Sequence, residues 1–270
     1  QLDKMLDKRY LLFSRSSYIG AHRYGGIWTG DNTSSWHNLR MAVHQMPSLN
    51  MCGFLYVGTD IGGFGGNCSR ELLLRWLALG VFTPLMRDHT AKGTRRQECY
   101  RYWFKRDFRT VVGLRYRLLP YLYSEYMKAA IRGKLYFRPL SFDFPEDAEA
   151  AQVEDQLLVG ESIMITPLLE KGKRKRTVYL PEDMTKVLYD GSFHTSCLER
   201  GYHEIHARTN QVVFFIRKDC LVPIAEGAEH AEAVDMENVT LLGDGSCYQQ
   251  YLDDGQTKDY GESHIRTLTK

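Results

Sequence analysis

The sequence predicts the second half of a (β/α)8 TIM barrel followed by an antiparallel β-sandwich and the start of a second β domain. Three observations lead there. Up to about residue 131, short continuous apolar runs alternate with amphipathic stretches, the rhythm of parallel strands covered on both faces. After Gly133 the pattern becomes alternating apolar and polar runs broken by Pro, Gly and Asp, as antiparallel strands require. A chain of 270 residues with 43% hydrophobic and 25% charged residues can bury a sizeable core, which excludes disordered and low-complexity classes.

In order, Tyr10 to Phe13, Gly26 to Trp28, Gly53 to Val57 and Phe82 to Met86 read as four strands, each ending in polar or glycine-rich residues. Between them, Thr33-Ser34-Ser35 caps a helix running through Met46, and Ser69 followed by Glu71 starts another. Glu98 to Arg132 holds apolar residues at helical spacing. Four parallel strands cannot close a barrel, so four more are expected before Gln1. An open doubly wound sheet is the alternative. A half barrel leaves Tyr10 to Phe13 as an edge that only the missing half or a second copy of the chain would cover, which makes a homo-oligomer one expected partner state. Residues 135–144, 162–169, 176–181, 186–191, 202–207, 211–216 and 220–227 supply the strands of the antiparallel unit. Residues 238–245, 247–255 and 264–270 begin the last.

Thirty-five basic and thirty-three acidic residues leave a formal charge of +2, too balanced to point to nucleic acid or a membrane surface. No apolar stretch reaches the length of a membrane span, and the N-terminus lacks a secretory layout, so a cytoplasmic location is expected. The six cysteines form no CxxC pair and read as buried thiols in a reducing compartment. No GxGxxG or GxxxxGK[ST] is present, and His203-Glu204-Ile205-His206 is one residue short of a zinc-protease motif. No metal and no organic cofactor are expected.

The informative pattern lies just past the strand ends, at Arg15, Asp31, Asp60 and Arg87-Asp88-His89. On a parallel barrel these loops converge on one pocket. Carboxylates, arginines and a histidine, with Trp28 and Phe64 as apolar walls, suit a sugar, because polar groups hold hydroxyls while aromatic faces cover the pyranose ring.

Four strings carry a resemblance: Ile27-Trp28-Thr29-Gly30-Asp31-Asn32, Gly58-Thr59-Asp60-Ile61-Gly62-Gly63-Phe64, Arg87-Asp88-His89 and Tyr251-Leu252-Asp253-Asp254-Gly255. Together they resemble glycoside hydrolase family 31, the α-glucosidase family. The steps of 16, 29 and 29 residues from Arg15 to Asp31, Asp60 and His89 agree with the family's own. The resemblance covers essentially the whole chain. It implies the second half of the catalytic barrel over residues 1–131, a proximal β-sandwich over 132–228 and the start of a distal β domain over 229–270.

It also implies roles. Asp31 matches the general acid/base, while Arg15, Asp60 and His89 match residues binding hydroxyls of the glycosyl unit. Trp28 and Phe64 match pocket walls, and Arg87 a nearby arginine. A retaining mechanism by double displacement needs a second carboxylate about 5–5.5 Å away. The family's nucleophile lies in a WxDMNE-like segment on an earlier strand, which this chain lacks, so no nucleophile is assigned and the chain alone is expected to be incomplete and inactive. The implied activity is hydrolysis of terminal α-linked glucose from small α-glucoside oligosaccharides, with the missing N-terminal half of the enzyme as partner. The alternatives are an α-xylosidase, α-galactosidase or α-glucosyltransferase of the same family, or a non-catalytic sugar-binding subunit.

Overall fold

The computed structural model describes residues 2–270. A single turn, α1 (Leu2–Met5), precedes β1 (Phe13–Ser14), β2 (Gly26–Trp28), helix α2 (Trp36–Met51), β3 (Val57–Gly58), β4 (Asp60–Ile61), helix α3 (Arg70–Gly80), β5 (Arg87–Asp88) and helix α4 (Lys105–Arg132). The strands are parallel: Phe13 pairs with Gly26, Ile27 with Val57 and Asp60 with Arg87. Only Thr59 separates β3 from β4, and its buried hydroxyl accepts from the indole of Trp76 on α3 at 2.8 Å. Gly58 is glycine because neighbouring chain crowds it; a Cβ there would lie 2.2 Å from the Leu85 carbonyl oxygen.

The helices form where their caps foretell. Ser35 accepts from the Asn38 amide and Ser69 from the Leu72 amide, satisfying first-turn donors. Leu39, Ala42, Val43 and Met46 recur at helical spacing on α2 and are fully buried.

Several expected elements shift. Phe82 to Met86 is a turn, and the strand falls on Arg87–Asp88 instead. Thr83 bonds the Gly80 and Leu85 carbonyls through its hydroxyl, and Arg115 of α4 grips the carbonyls of Val81, Thr83 and Pro84. These side chains take carbonyls that a strand ladder would need. Helix α4 starts at Lys105 rather than Glu98, because Phe104 adopts a left-handed φ of 59° that no α-helix continues through.

Beyond α4 come β6 (Phe137–Pro139), a helical turn α5 (Leu140–Asp143), β7 (Leu157–Val159), β8 (Ile163–Ile165), β9 (Lys175–Leu180), β10 (Met184–Tyr189), β11 (Phe193–Leu198), β12 (Gly201–His206), β13 (Val212–Arg217), β14 (Leu221–Ile224), β15 (Thr240–Gly243), β16 (Cys247–Tyr251) and β17 (Ile265–Thr269). The run expected as one strand over 135–144 stops at Pro139. The sequence does not announce β7, three residues long, or β11, a polar edge strand with most of its side chains exposed.

An antiparallel sheet of order β11-β10-β13-β8-β7-β6 divides its side chains between two cores with the two-residue period of a strand. Leu157, Val159, Ile163, Ile165, Val187, Phe214 and Ile216 join the core that holds α2, α3 and α4. Leu158, Met164, Met184, Val213 and Phe215 join the one that holds Val178, Leu180 and Ile205 of the β9–β12 ribbon. A sheet covered on both faces explains the unbroken run Val212 to Ile216.

Next, β14 pairs with β15 across residues 221–243, and α4 packs against both β14 and β16. The long helix is therefore a spine shared by the parallel and antiparallel parts.

All six cysteines are unpaired thiols, and the expectation that they are buried fails for most of them. Cys68 alone is fully buried, while Cys52, Cys197 and Cys247 are exposed on loops and edges. No helix among the described residues is long and apolar enough to cross a membrane. Tyr10, Leu11, Leu12 and Phe13 are 39–56% exposed along the β1 edge.

Candidate active site

Parallel pairing points the C-terminal ends of β1, β2, β4 and β5 the same way, which sets where each polar side chain emerges. Arg15 follows β1 directly and Asp31 lies three residues past β2. They form an ion pair of 3.1 Å, both side chains being about half exposed. Asp60 and Arg87, register partners on β4 and β5, form a second pair of 2.5 Å in which the Asp60 side chain is wholly buried. The Arg87 guanidinium also lies over the rings of Trp28 at 5.3 Å and Phe13 at 5.6 Å. Past the strands, the Phe64 and His89 rings face each other with centroids 5.2 Å apart. The seven residues singled out from the sequence thus fall into three contacting groups.

Backbone bonds stitch the loops that carry these groups. The Asn32 side-chain oxygen accepts from the Phe64 amide, and the Asn32 carbonyl accepts from the Gly65 amide. On the other side, the Phe64 carbonyl accepts from the Ala91 amide, which ties the β4 loop to the β5 loop. Gly63 makes the close approach, with φ at +88° and an added Cβ falling 2.4 Å from the Ser34 backbone nitrogen. Gly63→Ala is therefore expected to cost more than about 1 kcal/mol, read as a lowered urea midpoint at unchanged slope. An unaltered midpoint would show that the Ser34 backbone yields without cost.

Buried polar atoms without a partner concentrate on this face. They include Trp28 Nε1, Thr29 Oγ1, Asp60 Oδ2, Arg87 Nε, Asp88 Oδ2 and Gln97 Oε1. Folded chains rarely leave such atoms unpaired unless they serve something else. Asp60 is the clearest: one oxygen is held by Arg87, and the other finds no donor among the described residues. Nothing among the described residues groups three or more His, Cys, Asp or Glu side chains as a cation site.

Sequence reasoning names Asp88 within Arg87-Asp88-His89 without giving it a role, and it misses Gln97. Asp88 alternates with Arg87 and so shares a sheet face with its register partner Ile61 rather than with Asp60. Burial pushes its carboxyl up to about 7, helped by the Glu98 charge and opposed by a bond from Gln97. Gln97, buried, donates from Nε2 to the carbonyls of Ile61, Gly63 and His89 at 2.9, 3.1 and 3.2 Å. The two-residue strand period could have set Asp88 on the opposite face from Arg87. No local pattern signals Gln97.

The model of the glycosyl hydrolases family 31 TIM-barrel domain matches residues 1–125, and that of the family 31 C-terminal domain matches residues 133–222. The chain is 32% identical to α-glucosidase 2 of Bacillus thermoamyloliquefaciens over 100% of its own length and 36% of the relative's. It is 44% identical to the lysosomal α-glucosidase of Bos taurus over 67% of its own length and 20% of the relative's. A GH31 dextranase of Flavobacterium johnsoniae, solved as a mutant with isomaltotriose, superposes with a TM-score of 0.84 at 26% identity, covering 98% of this chain and 35% of the other. The chain thus spans about a third or less of the relatives it matches.

Proposed function

Because the chain belongs to glycoside hydrolase family 31, we propose that it contributes the acid/base and sugar-binding side of a retaining α-glucosidase active site that releases terminal α-linked glucose from small oligosaccharides. The observation that carries this reading is the contrast between two aspartates on neighbouring strand ends. Asp31 is exposed and held by Arg15 through Oδ2 alone, whereas Asp60 is buried, clamped by Arg87 and left with one open acceptor.

In this reading Asp31 gives a proton to the glycosidic oxygen as the bond from that oxygen to C1 breaks. A nucleophilic aspartate from outside these 270 residues forms the bond to C1. In the second step Asp31, now ionised, takes a proton from the water that displaces that aspartate, returning the enzyme to its starting state. Asp60 Oδ2 and His89 hold hydroxyls of the departing glucose, and Arg15 keeps the Asp31 carboxyl facing the bond. Trp28 and Phe64 wall the pocket, and the proximal sheets act as the β-sandwich that backs it.

A panel of p-nitrophenyl α-glycosides tests the assignment on the full-length enzyme. The α-glucoside is expected to turn over faster than the α-xyloside or α-galactoside, with glucose released in the α configuration. The margin over xylose is expected to be modest, because a pocket separates sugars differing by one hydroxymethyl through only a few contacts. Sugar binding with no turnover of any of the three would instead make the chain part of a non-catalytic carbohydrate-binding subunit.

A further inference from the structure

Of the four strings that carry the resemblance, Tyr251-Leu252-Asp253-Asp254-Gly255 is the one whose residues have no part in the site described so far. They hold another segment of the chain. Asp253, just past β16, has a side chain only 1% exposed. Its Oδ2 accepts from the Arg9 guanidinium at 2.6 Å and the Tyr251 hydroxyl at 2.9 Å, and its Oδ1 from the Tyr123 hydroxyl of α4 at 2.8 Å and the Gly255 amide at 3.0 Å. Asp254 shapes the loop that follows, accepting from the Gln256 and Thr257 amides at 2.9 Å. The Gln256 carbonyl of that turn accepts from the Arg9 amide at 2.7 Å.

Arg9 is thereby fixed at both its backbone and its guanidinium. Besides Asp253, the guanidinium donates to the Tyr123 hydroxyl and the Asp259 carbonyl, each at 3.0 Å. A planar fork with donors in fixed directions serves three acceptors on two elements at once, which a lysine ammonium does not reproduce.

Arg15 stands six residues further on. Little else holds the segment between them: β1 is a two-residue edge strand whose ladder partner is β2, and Tyr10, Leu11, Leu12 and Phe13 are 39–56% exposed. At the end of this segment Arg15 meets Asp31 at 3.1 Å, both side chains being about half exposed. Such a pair binds weakly, so where the two groups meet follows from the backbone that presents Arg15. The buried pair upstream is the fixed point.

We propose that Arg9 and Asp253 are positioning residues for the reaction: their ion pair anchors the segment that leads through β1 to Arg15, and so sets the Arg15 guanidinium against the Asp31 carboxyl. The proposal rests on the reading of Asp31 as acid/base for its effect on turnover, and on the contacts of Arg9 for the anchor itself.

Arg9→Lys in the full-length enzyme tests it by two measurements. In the first, made without sugar, hydrogen–deuterium exchange over residues 9–15 is expected to quicken by about tenfold or more, the factor that corresponds to losing one charge-assisted hydrogen bond. In the second, kcat/KM on maltose is expected to fall about tenfold in the wild-type background but by less than about twofold where Arg15→Gln is already present, because a residue that acts through Arg15 then has nothing left to place.

Unchanged exchange would overturn the proposal, since neighbouring strands and not the ion pair would then hold the segment. An equal loss of kcat/KM in both backgrounds would overturn it as well, for the pair would then support the fold without acting through Arg15. Asp253→Asn repeats both measurements from the other partner and decides alone should R9K fail to fold. The exchange measurement involves no sugar, and additive kinetic losses still require turnover, so either failure is distinct from failure of the glucosidase assignment.

Discussion

Asp31→Asn in the full-length enzyme is expected to lower kcat by about 10²- to 10⁴-fold, the usual contribution of a positioned acid/base group. Binding of glucose or a non-hydrolysed analogue should stay nearly unchanged. The asymmetry comes from the geometry: Asp31 is exposed and, among the described residues, its side chain bonds Arg15 alone, so an amide of the same shape fits without disturbing the fold. The amide cannot give a proton to a leaving oxygen or take one from water. Aryl glucosides with good leaving groups need less protonation, so their first step should suffer least, and glycosyl-enzyme should accumulate. A near-normal kcat on maltose-type substrates would remove Asp31 from the role.

Lys128→Met is expected to produce the largest loss of stability. Lys128 and Glu125 sit on α4, 2.8 Å apart, with side chains only 3% and 2% exposed. Glu125 also accepts from the Tyr248 hydroxyl of β16 at 2.6 Å and from the Glu161 amide at 2.9 Å, while the Lys128 ammonium lies 4.7 Å over the Tyr248 ring. Removing the cation strands a carboxylate in a dry interior, at a cost of about 3–5 kcal/mol. In a chain of this size that corresponds to a fall in Tm of about 6–20 °C. Adding Glu125→Gln to the variant removes the stranded charge, keeps an acceptor for Tyr248, and should recover more than half of the loss. No recovery would mean that the packing of the lysine stem, and not the buried pair, holds α4 to β16.

Most of the secondary structure was legible because its causes are local. Ser35 and Ser69 announce their helices through a hydroxyl three residues from the amide that it caps. The positions of Arg15, Asp31 and His89 past strand ends follow from the alternation of apolar runs and helices, whereas Asp60 and Arg87, expected there too, lie within β4 and β5. The failures are equally physical. Phe82 to Met86 has the composition of a strand, yet Arg115, about thirty residues away in sequence, takes its carbonyls. Strand β11 carries too little apolar surface to be recognised, since it needs only one partner and faces solvent on its edge. The exposed cysteines were misread because residue type reports an average tendency to burial, whereas Cys197 and Cys247 lie on strands with a solvent face.

By itself, then, the sequence determined which segments are parallel and which antiparallel, where α2 and α3 begin, and that two aspartates, two arginines and a histidine stand at or close to successive strand ends, because each of these is written in spacings of a few residues. Only the tertiary structure decided that α4 is the common spine, that Asp60 is clamped by Arg87 while Asp31 stays exposed, and that Gln97 gathers the carbonyls of Ile61, Gly63 and His89. Those outcomes depend on which oxygens and nitrogens meet once distant loops close on one another. Water is excluded by the packed whole, and no short stretch of residues carries that information.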